Sequence, residues 1–221
     1  MGRQEHTGEV RKKVVATALR LFLEKGYAQT TLREISNAAG VSYGSLYHHF
    51  DDKDGIFREL ILESFEETQQ LADRPLSGDA NAYLRLGLKL ASHIQAMSSD
   101  ARVAELFSVA YRSWKISEVL IKAAASTYRD WLGKELPDWS ESRFFAATLV
   151  LKGAMSSVVD EKLNLDRLTA AERVQAVLSS ALPSFGADPV VTRRTIKRVL
   201  ELVPSMTESA LAKAKRGEVG F

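Results

Sequence analysis

Residues 30–53, TTLREISNAAGVSYGSLYHHFDDK, constrain the fold more than any other stretch of the chain. They predict two short helices joined by a turn of about four residues. Thr31 stands where a cap for the first helix is needed, and Glu34, three positions on, completes a capping box. Leu32, Ile35, Ala38 and Ala39 form the apolar stripe of that helix. Gly40 suits the left-handed backbone that ends it, Val41 returns towards the core, and Ser42 caps the second helix.

On a wheel at about 100° per residue, Leu46 and Phe50 share the inward face of the second helix. Gly44, Ser45 and His48 therefore point outward, flanked by Tyr43 and Tyr47 on one side and His49 on the other. A glycine within a helix is less favourable than alanine by up to about 1 kcal/mol. It makes sense where the backbone must come close to a partner. A DNA major groove is about 12 Å wide, and a small outward face lets a helix sit deep in it while tyrosine and histidine reach bases and phosphates at the edges.

These residues resemble the TetR family of bacterial transcriptional regulators, whose pattern runs Thr-x-x-x-Ile-small-x-x-Ala-Gly-Val-Ser-x-Gly-x-Leu-Tyr-x-aromatic-Phe-x-x-Lys. Thr31, Ile35, Ser36, Ala39, Gly40, Val41, Ser42, Gly44, Leu46, Tyr47, Phe50 and Lys53 fit it. So do Ala18, Leu21, Phe22, Gly26 and Tyr27 upstream. The resemblance spans about residues 8–65. It implies an all-α fold, with an N-terminal helix-turn-helix three-helix domain joined to a larger helical ligand-binding and dimerisation domain. It also implies a regulator, in most cases a repressor, that binds a palindromic operator as a homodimer and is released by a small molecule. Tyr43, Gly44 and Ser45 are then expected at base edges, with Thr31, Ser42, Tyr47, His48, His49 and Lys53 as further DNA contacts, chiefly to phosphate. Arg11, Lys12 and Lys13 would add sequence-independent attraction.

Composition agrees. The chain has 221 residues, 45% of them hydrophobic and 26% charged, and no cysteine. A disulfide-stabilised module is excluded. The apolar run FFAATLVL at 144–151 is far shorter than the ~20 residues that span a bilayer, and the first 25 residues are too charged for a signal peptide. A cytoplasmic, nucleoid-associated protein is the expectation. Net charge is only +2, but residues 1–50 and the tail from 187 each carry +3, which leaves the middle acidic.

No stretch shows the sustained period-2 alternation of a strand. Helices are predicted at 9–25, 32–39, 43–49, 53–71, 79–98, 101–111, 114–135, 140–163, 170–182, 189–202 and 206–216. Arg74-Pro75-Leu76-Ser77-Gly78 reads as a linker, and Thr169 with Glu172 and Ser205 with Glu208 read as capping boxes. The expected division is a DNA-binding domain at 1–53, a connecting helix at 53–71, and a ligand-binding and dimerisation domain at 72–221.

Two enzyme-like or metal-like patterns compete with this reading. Gly40-Val41-Ser42-Tyr43-Gly44 fits the G-x-S-x-G elbow of hydrolases, but that device needs a strand before the serine, and here a helix precedes it. His48 and His49 are adjacent on a helix and diverge by about 100°, so they cannot chelate a metal together. No phosphate-loop or dinucleotide motif is present, and neither cofactor nor metal is expected. A constitutive DNA-binding protein that senses nothing is the main remaining alternative.

In the larger domain His93, Met97, Phe107, Tyr111, Trp114, Tyr128, Trp131 and Phe145 are candidates to line a cavity for a small lipophilic or aromatic effector. Helices 140–163 and 170–182 are the expected homodimer interface. Ala146, Val150, Gly153 and Ser157 make a small-residue stripe on the first, and Val174, Val177, Leu178 and Ala181 an apolar stripe on the second.

Overall fold

The computed structural model describes residues 2–72, 81–160 and 167–215, and the expected linker at 74–78 lies outside them. The described residues form α-helices and no strand. They divide into two compact units, Met1–Phe65 and Glu66–Phe221, the boundary falling within a helix rather than at either end of it.

The first unit contains α1 (Gly2–Lys25), α2 (Leu32–Ala39), α3 (Tyr43–His49) and the first half of α4 (Lys53–Ala72). Helix α1 begins seven residues earlier than its apolar periodicity suggested. Its core face presents Val14, Ala18 and Phe22, which meet Ile35 of α2, Leu46 of α3 and Phe57 of α4, all fully buried. Phe22, Tyr27 and Phe57 form an aromatic trio with ring centroids 4.7 to 5.7 Å apart. On α2 the buried residues are Ile35, Ser36 and Ala39, whereas Ala38, expected inside, is exposed. A serine can take the inner place because its hydroxyl donates to the Arg33 carbonyl at 3.0 Å.

The second unit is built around α5 (Ala82–Ser99), which is apolar on nearly all sides and correspondingly buried. Around it lie α6 (Ala101–Arg112), α7 (Trp114–Leu132), α8 (Glu141–Val158), α9 (Ala170–Ser184) and α10 (Pro189–Lys215). Helix α7 stops at Gly133, well short of Pro137, its last turn closed by the Gly133 N–H donating to the Arg129 carbonyl at 2.8 Å. The two C-terminal helices expected at 189–202 and 206–216 are one helix, α10, continuous through Pro204. It packs against α5 with Thr192, Thr195, Val199 and Val203 inward and Arg193, Arg194, Lys197 and Arg198 outward.

The crossing of α5 and α10 depends on Gly87. A Cβ there would lie 2.8 Å from Val199 Cγ2 and 3.3 Å from Thr195 Cγ2, both on stiff β-branched side chains. Gly87→Leu is therefore expected to destabilise the second unit by about 3 kcal/mol through overpacking. Urea unfolding followed by circular dichroism measures it, and a midpoint equal to the wild type would show that the two helices can separate at no cost.

Candidate functional site

The helix-turn-helix is held by the caps read from sequence. Thr31 Oγ1 accepts from the Glu34 N–H at 3.2 Å, and Glu34 Oε2 accepts from the Thr31 N–H at 2.9 Å. Lys25 approaches the same carboxylate at 2.5 Å. That ion pair, with the cap bonds, holds the Glu34 carboxyl down at about 2. Gly40 has φ +61°, the left-handed conformation that a Cβ would strain. Ser42 Oγ accepts from the Ser45 N–H at 3.1 Å and opens α3.

Helix α3 turns Leu46 fully inward and leaves Tyr43, Gly44, Tyr47 and His48 exposed. The two tyrosine hydroxyls lie 3.2 Å apart and the rings pack edge to face at 4.8 Å. This hydrogen bond raises the pKa of Tyr47 and leaves the pair as one aromatic ridge. Beside the ridge, a Cβ built on Gly44 meets nothing within 4 Å. No packing inside the protein calls for glycine at this helical position.

Two cations expected at DNA are committed to the protein. Arg11 donates to the His49 carbonyl at 3.1 Å, pairs with Glu59 and lies 4.8 Å over the Phe50 ring. It clasps the C-terminal end of α3 to α4, a role that α1's charge run alone does not reveal. Lys53 Nζ donates to the carbonyls of Tyr27 at 2.7 Å and Thr30 at 2.9 Å, and stacks 4.3 Å over the Tyr27 ring. Burial lowers the pKa of this ammonium. Two of its three N–H donors are thus spent on the α1–α2 turn, and one remains for a phosphate. Lys53→Met should lower the stability of the first unit by about 1–2 kcal/mol, discounting two charge-assisted bonds for partial exposure. Denaturant unfolding checks this, and an unchanged midpoint would leave the lysine no positioning role.

His48 and His49 have ring centroids 5.4 Å apart in a T-shaped contact, and no group of three metal-binding side chains forms among the described residues. Ser42, whose hydroxyl is a helix cap following a helix, has neither the strand nor the base of a nucleophile elbow.

In the second unit the aromatic candidates separate into two groups. His93, Met97, Phe107 and Tyr128 are buried, and Tyr111 and Trp131 are half-buried. Ring contacts link His93 to Phe107 at 5.8 Å, Phe107 to Tyr111 at 6.4 Å, and Tyr128 to Trp131 at 6.1 Å. Burial pushes both tyrosine hydroxyls above their ordinary range. Trp114 and Phe145 do not join them. Trp114 is the first residue of α7, directly after its Ser113 cap, and is 71% exposed. Phe145 lies on the outer face of α8, at the rim of a groove of about 400 Å³ shared with Lys122, Arg129 and Glu141.

Sequence reasoning missed the polar partners of His93. Thr68 Oγ1 lies 2.8 Å from His93 Nε2, and Lys89 Nζ, completely buried, is 3.4 Å from the same hydroxyl. The signal was available, since Lys89 precedes His93 by four positions and shares its helix face.

Residues 14–60 match the profile described as bacterial regulatory proteins, tetR family. The chain belongs to the TetR family. An HTH-type transcriptional repressor of Mycobacterium tuberculosis is 37% identical over 71 residues, 32% of this chain and 38% of that protein. The probable acrEF/envCD operon repressor of Escherichia coli is 22% identical over 201 residues, 84% of this chain and 90% of that one. The crystal structure of RolR with resorcinol superposes at a TM-score of 0.68 with 18% identity, covering 89% of this chain and 97% of that chain. At that identity the likeness is one of fold, and it extends through the second unit of this TetR-family regulator. No helix among the described residues is long and apolar enough to cross a membrane.

Proposed function

We propose that this regulator is a repressor that binds a palindromic operator as a homodimer and leaves it when a small molecule occupies the second unit. The DNA half rests chiefly on Gly44. Its Cβ direction opens into empty space beside the Tyr43–Tyr47 ridge, so the glycine serves an approach from outside. Tyr43, Gly44 and Ser45 face base edges, and Thr31, Ser42, Tyr47, His48, His49 and the remaining N–H of Lys53 serve phosphates and groove edges. Recovery of one palindrome by selection from a random DNA pool tests this half, and enrichment of no sequence would sink it.

The dimer half rests on α8. Phe145, Ala146, Leu149, Val150, Gly153 and Ser157 line a single exposed face, with Val150 56% exposed, and a Cβ on Gly153 would meet nothing within 4 Å. A contiguous apolar face of this kind suits close helix packing against a second copy. The stripe expected on the neighbouring helix belongs elsewhere. Val174, Val177, Leu178 and Ala181 are core residues of the same protomer, and α9 instead turns Gln175, Ala176, Ser179 and Ser180 outward beside α8.

The sensing half rests on the aromatic run from His93 through Phe107 and Tyr111, with Met97, Tyr128 and Trp131 nearby. RolR, which shares the fold, holds resorcinol. Helix α4 belongs to both units in sequence, so a ligand that changes how its second half is held can alter operator affinity. A compound that binds the regulator and releases the selected operator would demonstrate sensing.

A further inference from the structure

Within the sensing reading on which this proposal rests, the chemistry of the effector is written in three side chains. The Lys89 ammonium carries only donors, so in its contact with Thr68 the hydroxyl oxygen is the acceptor. The Thr68 proton is then directed at His93 Nε2, 2.8 Å away. The histidine is neutral with its own proton on Nδ1, in keeping with a pKa lowered to about 3 by burial and by Lys89. The chain of hydrogen bonds therefore runs from α5 to α4 and back to α5, all inside the second unit. A second polar tie, Thr127 Oγ1 donating to Gln69 Oε1 at 3.3 Å, holds the next residue of α4 to α7.

This cluster is rich in donors and carries a buried positive charge, and it opens onto an aromatic run, with the Phe107 ring 5.8 Å from that of His93. An ammonium or a donor-rich group brought here would meet like charge in a low-dielectric setting, and a purely apolar ligand would gain nothing from Lys89. A carboxylate would gain charge-assisted hydrogen bonds there. We infer that the effector is a lipophilic acid, its anionic end received by Lys89, Thr68 and His93 and its apolar body by Phe107 and Tyr111. On arrival it takes over the Thr68 hydrogen bonds that tie α4 to α5, and α4 loses a restraint that favours the operator-bound form.

Calorimetric titration of the full-length protein with 2-naphthoate and laurate, each paired with its amide, tests the assignment. In the wild type at least one acid should bind about 10-fold or more tightly than its amide, and Lys89→Met should abolish that preference. Lys89→Arg, which keeps the charge, should retain it. If Lys89→Met does not fold, Thr68→Val gives the same comparison, with a reduced preference expected. Equal binding of acid and amide, a preference that survives in the folded variants, or no binding of either acid to the wild type overturns the inference. Amides that bind and release operator as well as the acids would leave sensing intact and remove only the acid. Sensing itself fails if neutral, cationic and acidic lipophilic compounds all leave operator binding unchanged.

Discussion

Gly44→Leu is expected to weaken operator binding by about two orders of magnitude, with the fold preserved. A leucine at this position projects from α3 into the space that a groove floor would occupy, beside Tyr43 and Tyr47. Holding the helix out of the groove removes several base contacts at once, each worth about 1–3 kcal/mol of discrimination. The protein itself has no reason to object, because nothing lies within 4 Å of the added Cβ. Leucine is also a better helix former than glycine by about 0.5–1 kcal/mol, so the melting temperature should hold or rise slightly. Anisotropy titration of the selected operator beside a thermal melt measures both. Wild-type affinity in a folded variant would mean that α3 presents another face to DNA.

Val150→Arg combined with Gly153→Arg is expected to convert the dimer to a monomer and to lower operator affinity by at least about 100-fold. Both positions are exposed on α8, and Gly153 has open space around it, so the protomer should fold. In a two-fold interface each substitution faces its own copy or a close neighbour, which places four like charges on surfaces that must come together. A protomer alone then engages one half-site without the effective concentration that the second half-site enjoys in the dimer. Sedimentation velocity reads the mass directly. A dimer that persists at micromolar concentration would place the interface elsewhere.

Local rules made the first unit legible. The Thr31–Glu34 box, the Gly40 stop and the Ser42 cap each depend on residues within three or four positions, and their signals are stereotyped. The same locality hid what long side chains would do. Arg11 and Lys53 looked like cations for phosphate, yet the first reaches Glu59 and the His49 carbonyl, and the second the carbonyls of Tyr27 and Thr30. Those partners lie 23 to 48 residues away in the chain, and no periodicity reports them.

Periodicity told which residues of α8 and α9 are apolar but not against what they pack. On α9 the stripe of Val174, Val177, Leu178 and Ala181 fills the protomer's own core, and on α8 the stripe of Ala146, Val150, Gly153 and Ser157 stays outside. Both satisfy the same 3.6-residue repeat, because burial against self and burial against a copy demand the same surface chemistry. Trp114 and Phe145 were misplaced for a related reason, since aromatic content marks a side chain as costly to expose without saying where cover exists.

By itself the sequence determined the all-helical class, the helix-turn-helix with its caps, and the outward face of α3, because each follows from short-range geometry and side-chain size. Only the tertiary structure decided that α10 is one helix seated on Gly87, that Lys89 joins His93 and Thr68 in the interior, and which apolar faces are left uncovered. These depend on which distant helices meet, and that is settled by packing the whole chain at once rather than by any window of it.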